Sequence, residues 1–128
     1  MREKLTWTKG GLHLWRSGIV DMKEFVDSLK TLITDSRFES LKYIESCFLE
    51  VKELQLEESD LKSLTELHTI PSIWNPNIKI SFLVTDHEVK KTILAYMELM
   101  KHNQWQFKIS ETKEESKAWY SREEVAQT

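Results

Sequence analysis

Two hydrophobic periods take turns along this chain, and that alternation limits its fold more than anything else in it. Ile78, Ile80, Phe82 and Val84 alternate with Lys79, Ser81 and Leu83, which predicts a strand. Val89, Ile93, Tyr96, Met97 and Met100 then recur at helical spacing. The same switch occurs elsewhere. Met22, Phe25, Val26, Leu29, Leu32 and Ile33 form a helical stripe that opens at Asp21, with Glu24 placed for a capping box. Residues 42–51 read as an interior strand, and Leu61, Leu64, Leu67 and Ile70 as the stripe of a helix over 58–70 that Pro71 stops. Trp105, Phe107 and Ile109 predict a last strand. Thr112 and Glu115 cap a short final helix with Ala118, Trp119 and Tyr120. The tail from Ser121 is expected to fray.

The chain begins differently. Leu5–Thr8 and Leu12–Arg16 are short β-prone runs separated by Lys9-Gly10-Gly11, which predicts a hairpin, with Gly18 ending its second strand. Thr85 and Glu88 form a further cap pair. The predicted order is β-β-α-β-α-β-α-β-α: an α/β fold with a five-stranded mixed, mostly parallel sheet and four helices. The last two strands are apolar on one face only, so the helices are expected mainly on one side of the sheet. At 128 residues, the whole chain reads as a single domain.

Composition narrows the function. A net charge of −3 gives no electrostatic case for nucleic acid. One cysteine, Cys47, rules out an internal disulfide framework. Met1-Arg-Glu-Lys-Leu-Thr-Trp7 has no apolar secretory core, and no run has the ~18 apolar residues of a spanning helix. A cytoplasmic location without a transmembrane segment is expected.

Reactive chemistry is sparse. His13, His68, His87 and His102 show no metal-ligand spacing; His87-Glu88 opens like a zinc-protease motif, but Lys91 replaces the second histidine. Cys47 sits beside Phe48 between acidic neighbours, the setting of a packed thiol rather than a nucleophile. All three glycines lie in the hairpin region, away from any strand-to-helix turn that would cradle a phosphate. The sequence predicts no catalytic residues, no metal and no cofactor.

The element order, the closing Glu114-Glu-Ser-Lys-Ala-Trp-Tyr120 and the junction Glu50-Val-Lys-Glu-Leu-Gln-Leu-Glu-Glu-Ser-Asp-Leu61 together resemble the small bacterial STAS-like proteins, the SpoIIAA-like fold of the anti-sigma-factor antagonists. The resemblance runs from about Leu5 to Tyr120. It implies a non-enzymatic regulatory domain that works through protein partners. In the antagonists the second helix opens with Asp-Ser-Ser/Thr-Gly, and a kinase phosphorylates a hydroxyl there. Glu57-Glu58-Ser59-Asp60 occupies that place here, without the glycine or the first aspartate. The resemblance thus makes Ser59 the candidate phosphoacceptor, with Glu57, Glu58 and Asp60 as candidate partner-binding residues. A phosphate would meet like charge in this acidic stretch.

Five tryptophans supply a further signal. Trp105 and Trp119 fit the core by periodicity. Trp7, Trp15 and Trp74 do not, and Trp74 joins the candidate partner-binding set, although burial is the expectation for all three. Self-association through the hairpin edge or the open sheet face is a further expectation. The alternative is a small apolar or lipid-like ligand held between helices and sheet, with Phe25, Leu29, Met97 and Met100 as lining.

Overall fold

A computed structural model describes residues 3–122. The predicted order is present: β1 (Glu3–Thr8), β2 (Gly11–Asp21), α1 (Met22–Thr34), a 3-10 turn (Ser36–Ser40), β3 (Tyr43–Gln55), α2 (Glu58–Trp74), β4 (Lys79–Leu83), α3 (His87–Leu99), β5 (Gln106–Ser110) and α4 (Lys113–Tyr120). The five strands lie in the order β1-β2-β3-β4-β5; β1 pairs antiparallel with β2, and the rest are parallel. Gly10 takes φ 75° in the hairpin turn, a conformation that other residues adopt at a cost.

Local chemistry explains most element ends. The Asp21 side chain accepts from the Glu24 N–H, and that of Thr112 from the Glu115 N–H, as the sequence predicts. At α3 the capping oxygen comes from Asp86, which accepts from the Val89 N–H, and not from Thr85.

Two elements run past their predicted ends. Gly18 does not end β2. It sits at φ 73° among register shifts that carry β2 on to Asp21. Opposite it, β3 uses extra residues: Trp15 pairs with Cys47, but Ser17 with Glu50, and Gly18 with Val51, but Ile19 with Glu53. These bulges break the period of two, so Phe48 and Val51 are buried while Leu49 and Glu50 between them are exposed.

Pro71 does not stop α2 either. A proline removes one helical hydrogen bond, and here the last turn is anchored from outside. The buried Asn75 donates its Nδ2 to the Phe38 and Leu41 carbonyls, both at 2.8 Å, and its own carbonyl accepts the Trp105 indole N–H at 2.7 Å.

Alternate strand residues point to opposite sheet faces. One face carries Leu12, Leu14, Ile44, Phe48, Ile80 and Phe82, packed with Leu29 and Leu32 of α1 and Val89 and Ile93 of α3. The other carries His13, Tyr43, Glu45 and Ser81, and α4 crosses it: Ser116 reaches Glu45 and Ser81, and Tyr120 stacks on Tyr43. The expectation of a helical layer on one side therefore holds for three helices and is corrected for α4. Ser116 is fully buried, and its small side chain lets the helix lie close to the strands. Ser121 caps α4, and the Arg122 carbonyl accepts from Lys79 Nζ; the rest of the predicted tail lies outside the described residues.

Candidate functional site

The acidic start of α2 is built by capping. The Glu57 N–H donates to the Asp60 carboxylate at 2.9 Å, so Asp60 is tied into the helix start. Glu58 pairs loosely with Lys62, one helical turn on, at 3.7 Å. Glu57, Glu58 and Ser59 are exposed, and Ser59 lies in the first turn of the helix. These four residues are together. Trp74 is not with them: at ~1.5 Å per residue, α2 separates Ser59 from Trp74 by roughly 22 Å.

Leu61, Leu64, Pro71 and Ser72 turn α2 inward. At 100° per residue the opposite arc holds Ser59, Lys62, Ser63, Glu66, Ile70 and Ile73, with Thr69 and Trp74 at its edges. The outer face is thus polar in its first half and apolar in its second. Ile73 is 68% exposed and Trp74 61%, which corrects the expected burial of Trp74. Trp7 and Trp15 are half-buried, and the Arg37 guanidinium lies 4.3 Å from the Trp7 ring centre. Trp74 also borders an open groove with Ile33, Thr34, Asp35, Phe38 and Glu39.

A second candidate lies beneath the helices. A cavity of about 110 Å³ opens between the sheet and α1, α2 and α3, below the β3–α2 junction at Leu54, Leu56 and Leu61. Its walls are mostly aliphatic and aromatic, and they include Phe25 and Leu29 but not Met97 or Met100. The polar side chains that line this apolar space are Arg16, Ser28, Ser46, His68, Thr92 and Tyr96.

Arg16 is the unexpected one. It is only 4% exposed. Its Nη1 donates to the Ser46 hydroxyl at 3.2 Å, and its guanidinium carbon lies 4.7 Å from the Phe25 ring centre. Nε stands 3.7 Å from a Glu3 carboxylate oxygen, beyond hydrogen-bond reach, and that oxygen already accepts from the Ser28 hydroxyl at 2.7 Å. Nε is buried without any hydrogen-bond partner among the described residues. Burial pulls the Arg16 pKa below the ordinary arginine value, against the raising fields of Glu3 and Glu24.

Across the cavity, His68 Nδ1 and the Tyr96 hydroxyl share a hydrogen bond of 2.7 Å. Burial, helped by the nearby Arg16 charge, lowers the His68 pKa from 6.5 to about 4, so the ring is neutral at pH 7. Burial alone pushes the Tyr96 phenol well above its ordinary value. A small apolar space with a few converging polar groups is the usual form of a ligand pocket.

Sequence reasoning missed Arg16, although a signal was present. Leu12, Leu14 and Arg16 share one strand face, so the alternation that buries the leucines also buries the arginine.

The opposite face holds a polar network under α4. Buried Glu45 accepts from the Ser116 hydroxyl at 2.8 Å and lies 3.1 Å from His13 Nδ1. The carboxylate stands between serine and histidine, so the imidazole, the usual base for a serine nucleophile, does not touch the hydroxyl. His13 and His68 lie on opposite sides of the sheet, and no group of three metal-ligating side chains occurs among the described residues. No described helix is long and apolar enough to cross a membrane.

No family model and no curated protein matches the sequence. Solved structures do. The anti-sigma factor antagonist SpoIIAA in its unphosphorylated form superposes with a TM-score of 0.57 at 11% identity, over 93% of this chain and 96% of that one. An uncharacterised DUF3478-family protein with a SpoIIAA-like fold, from Shewanella loihica PV-4, gives a TM-score of 0.58 at 11% identity, over 92% of this chain and 91% of that one. The fold is SpoIIAA-like, as the sequence resemblance implied.

Proposed function

We propose that this chain is a non-catalytic regulatory domain of the cytoplasm that acts by binding a protein, with the outer face of α2 as its docking surface. The observation that carries this reading is the pair Ile73 and Trp74, 68% and 61% exposed on the last turn of a helix whose other face is core. Large apolar groups grouped on a surface are what protein contacts bury. Likeness to an anti-sigma factor antagonist supports the same reading. The acidic first turn adds a charged rim, and a phosphate on the exposed Ser59 would raise its negative charge next to Glu57 and Glu58. A second copy of the chain is one partner this surface would accept; the β1 edge is another place for it.

The test is an Ile73→Ser, Trp74→Ala double variant. Both side chains are exposed, so the fold is expected to survive. Capture of cross-linked partners, or sedimentation as a dimer, should fall at least ~10-fold, a change of roughly 1.4 kcal/mol. A variant with every partner and the same sedimentation would remove the reading. Glu57→Lys with Glu58→Lys tests the rim, while Asp60 is left alone because it caps the helix.

A second reading has its own observation. The cavity beneath α1, α2 and α3 favours a small apolar ligand enclosed between helices and sheet.

A further inference from the structure

A buried arginine with an open hydrogen-bonding edge needs an explanation, because an unpaired buried donor is costly. The guanidinium offers five N–H donors in a rigid fork. Its Nη1 holds Ser46, and Nε, on the Nε–Nη2 edge, is buried with no hydrogen-bond partner among the described residues. That edge is the one arginines use to grip a carboxylate side-on. The same chain shows the closed form: Arg37 holds Asp35 through Nε at 3.0 Å and Nη2 at 2.8 Å.

The nearest internal carboxylate does not close the Arg16 fork. Glu3 stands 3.7 Å from Nε, held there by the Ser28 hydroxyl, which shares its one proton between the facing Glu3 oxygen at 2.7 Å and the Glu24 carbonyl at 2.9 Å. Arg16 nevertheless lines the cavity, with Phe25 and Phe48 beside its charge and Leu29, Ile80, Phe82 and Ile93 around the apolar remainder. The register shift between Trp15 and Ser17 brackets Arg16, and bulges commonly re-aim a side chain next to a site.

We propose that the cavity takes a small monocarboxylate, its headgroup on the Nε–Nη2 edge of Arg16 and its apolar body among Leu29, Ile80, Phe82 and Ile93. This rests on the second reading above, that the cavity holds a small apolar ligand. Charge complementarity selects an anion, and the absence of a second cation among the lining residues selects a single charge. Size selects the body. The space is about 110 Å³, whereas a ~150 Å³ apolar cavity admits benzene. A short branched chain fits, and an aromatic ring with its carboxylate or a long acyl chain does not. The His68–Tyr96 pair, uncharged at neutral pH, forms a wall that does not compete for the anion.

The test pairs acids with their neutral amides: isobutyrate against isobutyramide, and isovalerate against isovaleramide, by calorimetry on the full chain. The acids should bind at least ~10-fold more tightly, the scale of a charge-assisted hydrogen-bond pair. Arg16→Met, which keeps the apolar volume, should erase that preference. Glu3→Gln, which removes the competing carboxylate, should strengthen acid binding. Equal binding of acid and amide would overturn the anion site and leave the apolar cavity standing. Binding of neither would overturn both. Undiminished acid preference in Arg16→Met would place the acid elsewhere and overturn the proposal. Should Arg16→Met fail to fold, the Arg16 Nε–H resonance of the wild-type chain decides: it must move with isovalerate and stay with isovaleramide, and a resonance unmoved by isovalerate sinks the idea.

Discussion

Arg16 and Arg37 carry the same charge on the same fork and are treated in opposite ways. Arg37 has a side chain 56% exposed to water, yet it is fully engaged: Nε and Nη2 on Asp35, and its guanidinium over Trp7. Arg16 is almost wholly buried, hydrogen-bonds one serine, and has Glu3 only at a loose ion-pair distance of 3.7 Å. Stability alone would favour the reverse, since an exposed arginine is satisfied by water and a buried one is not. The surface fork is closed where closing it matters little. The buried fork is open where leaving it open is costly. That asymmetry is what a site awaiting an anion looks like, and it places the interest of this molecule inside the sheet–helix sandwich as well as on its surface.

The comparison breaks most readily at Arg16 itself. Arg16→Ala removes a buried side chain with its Phe25 contact and enlarges the cavity, so a loss of about 2–4 kcal/mol is expected by urea unfolding. Arg16→Met keeps the volume and removes the desolvated charge. It should fall within about 1 kcal/mol of the wild-type chain, or exceed it, because hydrophobic replacement of a buried charge is often neutral or stabilising. If Arg16→Met is instead as damaging as Arg16→Ala, the charge stabilises the fold outright, and the contrast with Arg37 loses its meaning.

How far the sequence shows this depends on the range of the interactions involved. The order of strands and helices, and the caps at Asp21 and Thr112, rest on residues within a few positions of each other, and they are legible. The reach of α2 through Pro71 is not, because Asn75, the 3-10 turn and Trp105 supply the anchor from three separate places. The burial of Phe48 and Val51 on either side of exposed Leu49 is hidden for a related reason: bulges against β2 reset the alternation. The acidic α2 start was readable as a candidate. Its distance from Trp74 followed only once the helix was seen to be unbroken. The cavity has walls from β2, β3, β4 and three helices, so no local pattern announces it. Arg16 alone could have been flagged, by its place in the Leu12–Leu14–Arg16 alternation.

The opposite wall of the cavity gives a smaller effect with a definite sign. His68 has its pKa lowered in the fold, first by burial and then by Arg16, from 6.5 to about 4. The unfolded chain therefore takes up a proton near pH 6.5 that the folded chain refuses until about pH 4. Stability is complete above pH 6.5 and falls through that window, by on the order of 2 kcal/mol for a ring that keeps some contact with water. Urea midpoints from pH 7 to pH 4 measure it. His68→Gln should flatten the slope in this window, and an unchanged slope would mean that the ring is charged in the folded state.

The smallest effect belongs to the surface fork, and salt separates it from the buried one. Asp35 has its pKa lowered from 3.8 to about 2, chiefly by the Arg37 side chain and then by the Arg37 backbone N–H. A lowered carboxylate contributes stability that is complete above its ordinary pKa and is lost as pH falls from about 3.8 towards 2. Arg37→Ala removes the fork and keeps the backbone cap on Asp35, whereas Asp35→Ala removes both, so Asp35→Ala should be the more damaging of the two. The cost of Arg37→Ala should shrink in ~1 M salt, because exposed charges are screened over a few ångströms there. The effect of Arg16→Met should not respond to salt, since the guanidinium is buried. Equal salt sensitivity at the two positions would mean that water reaches Arg16 as freely as Arg37, and its open edge would then need no ligand to explain it.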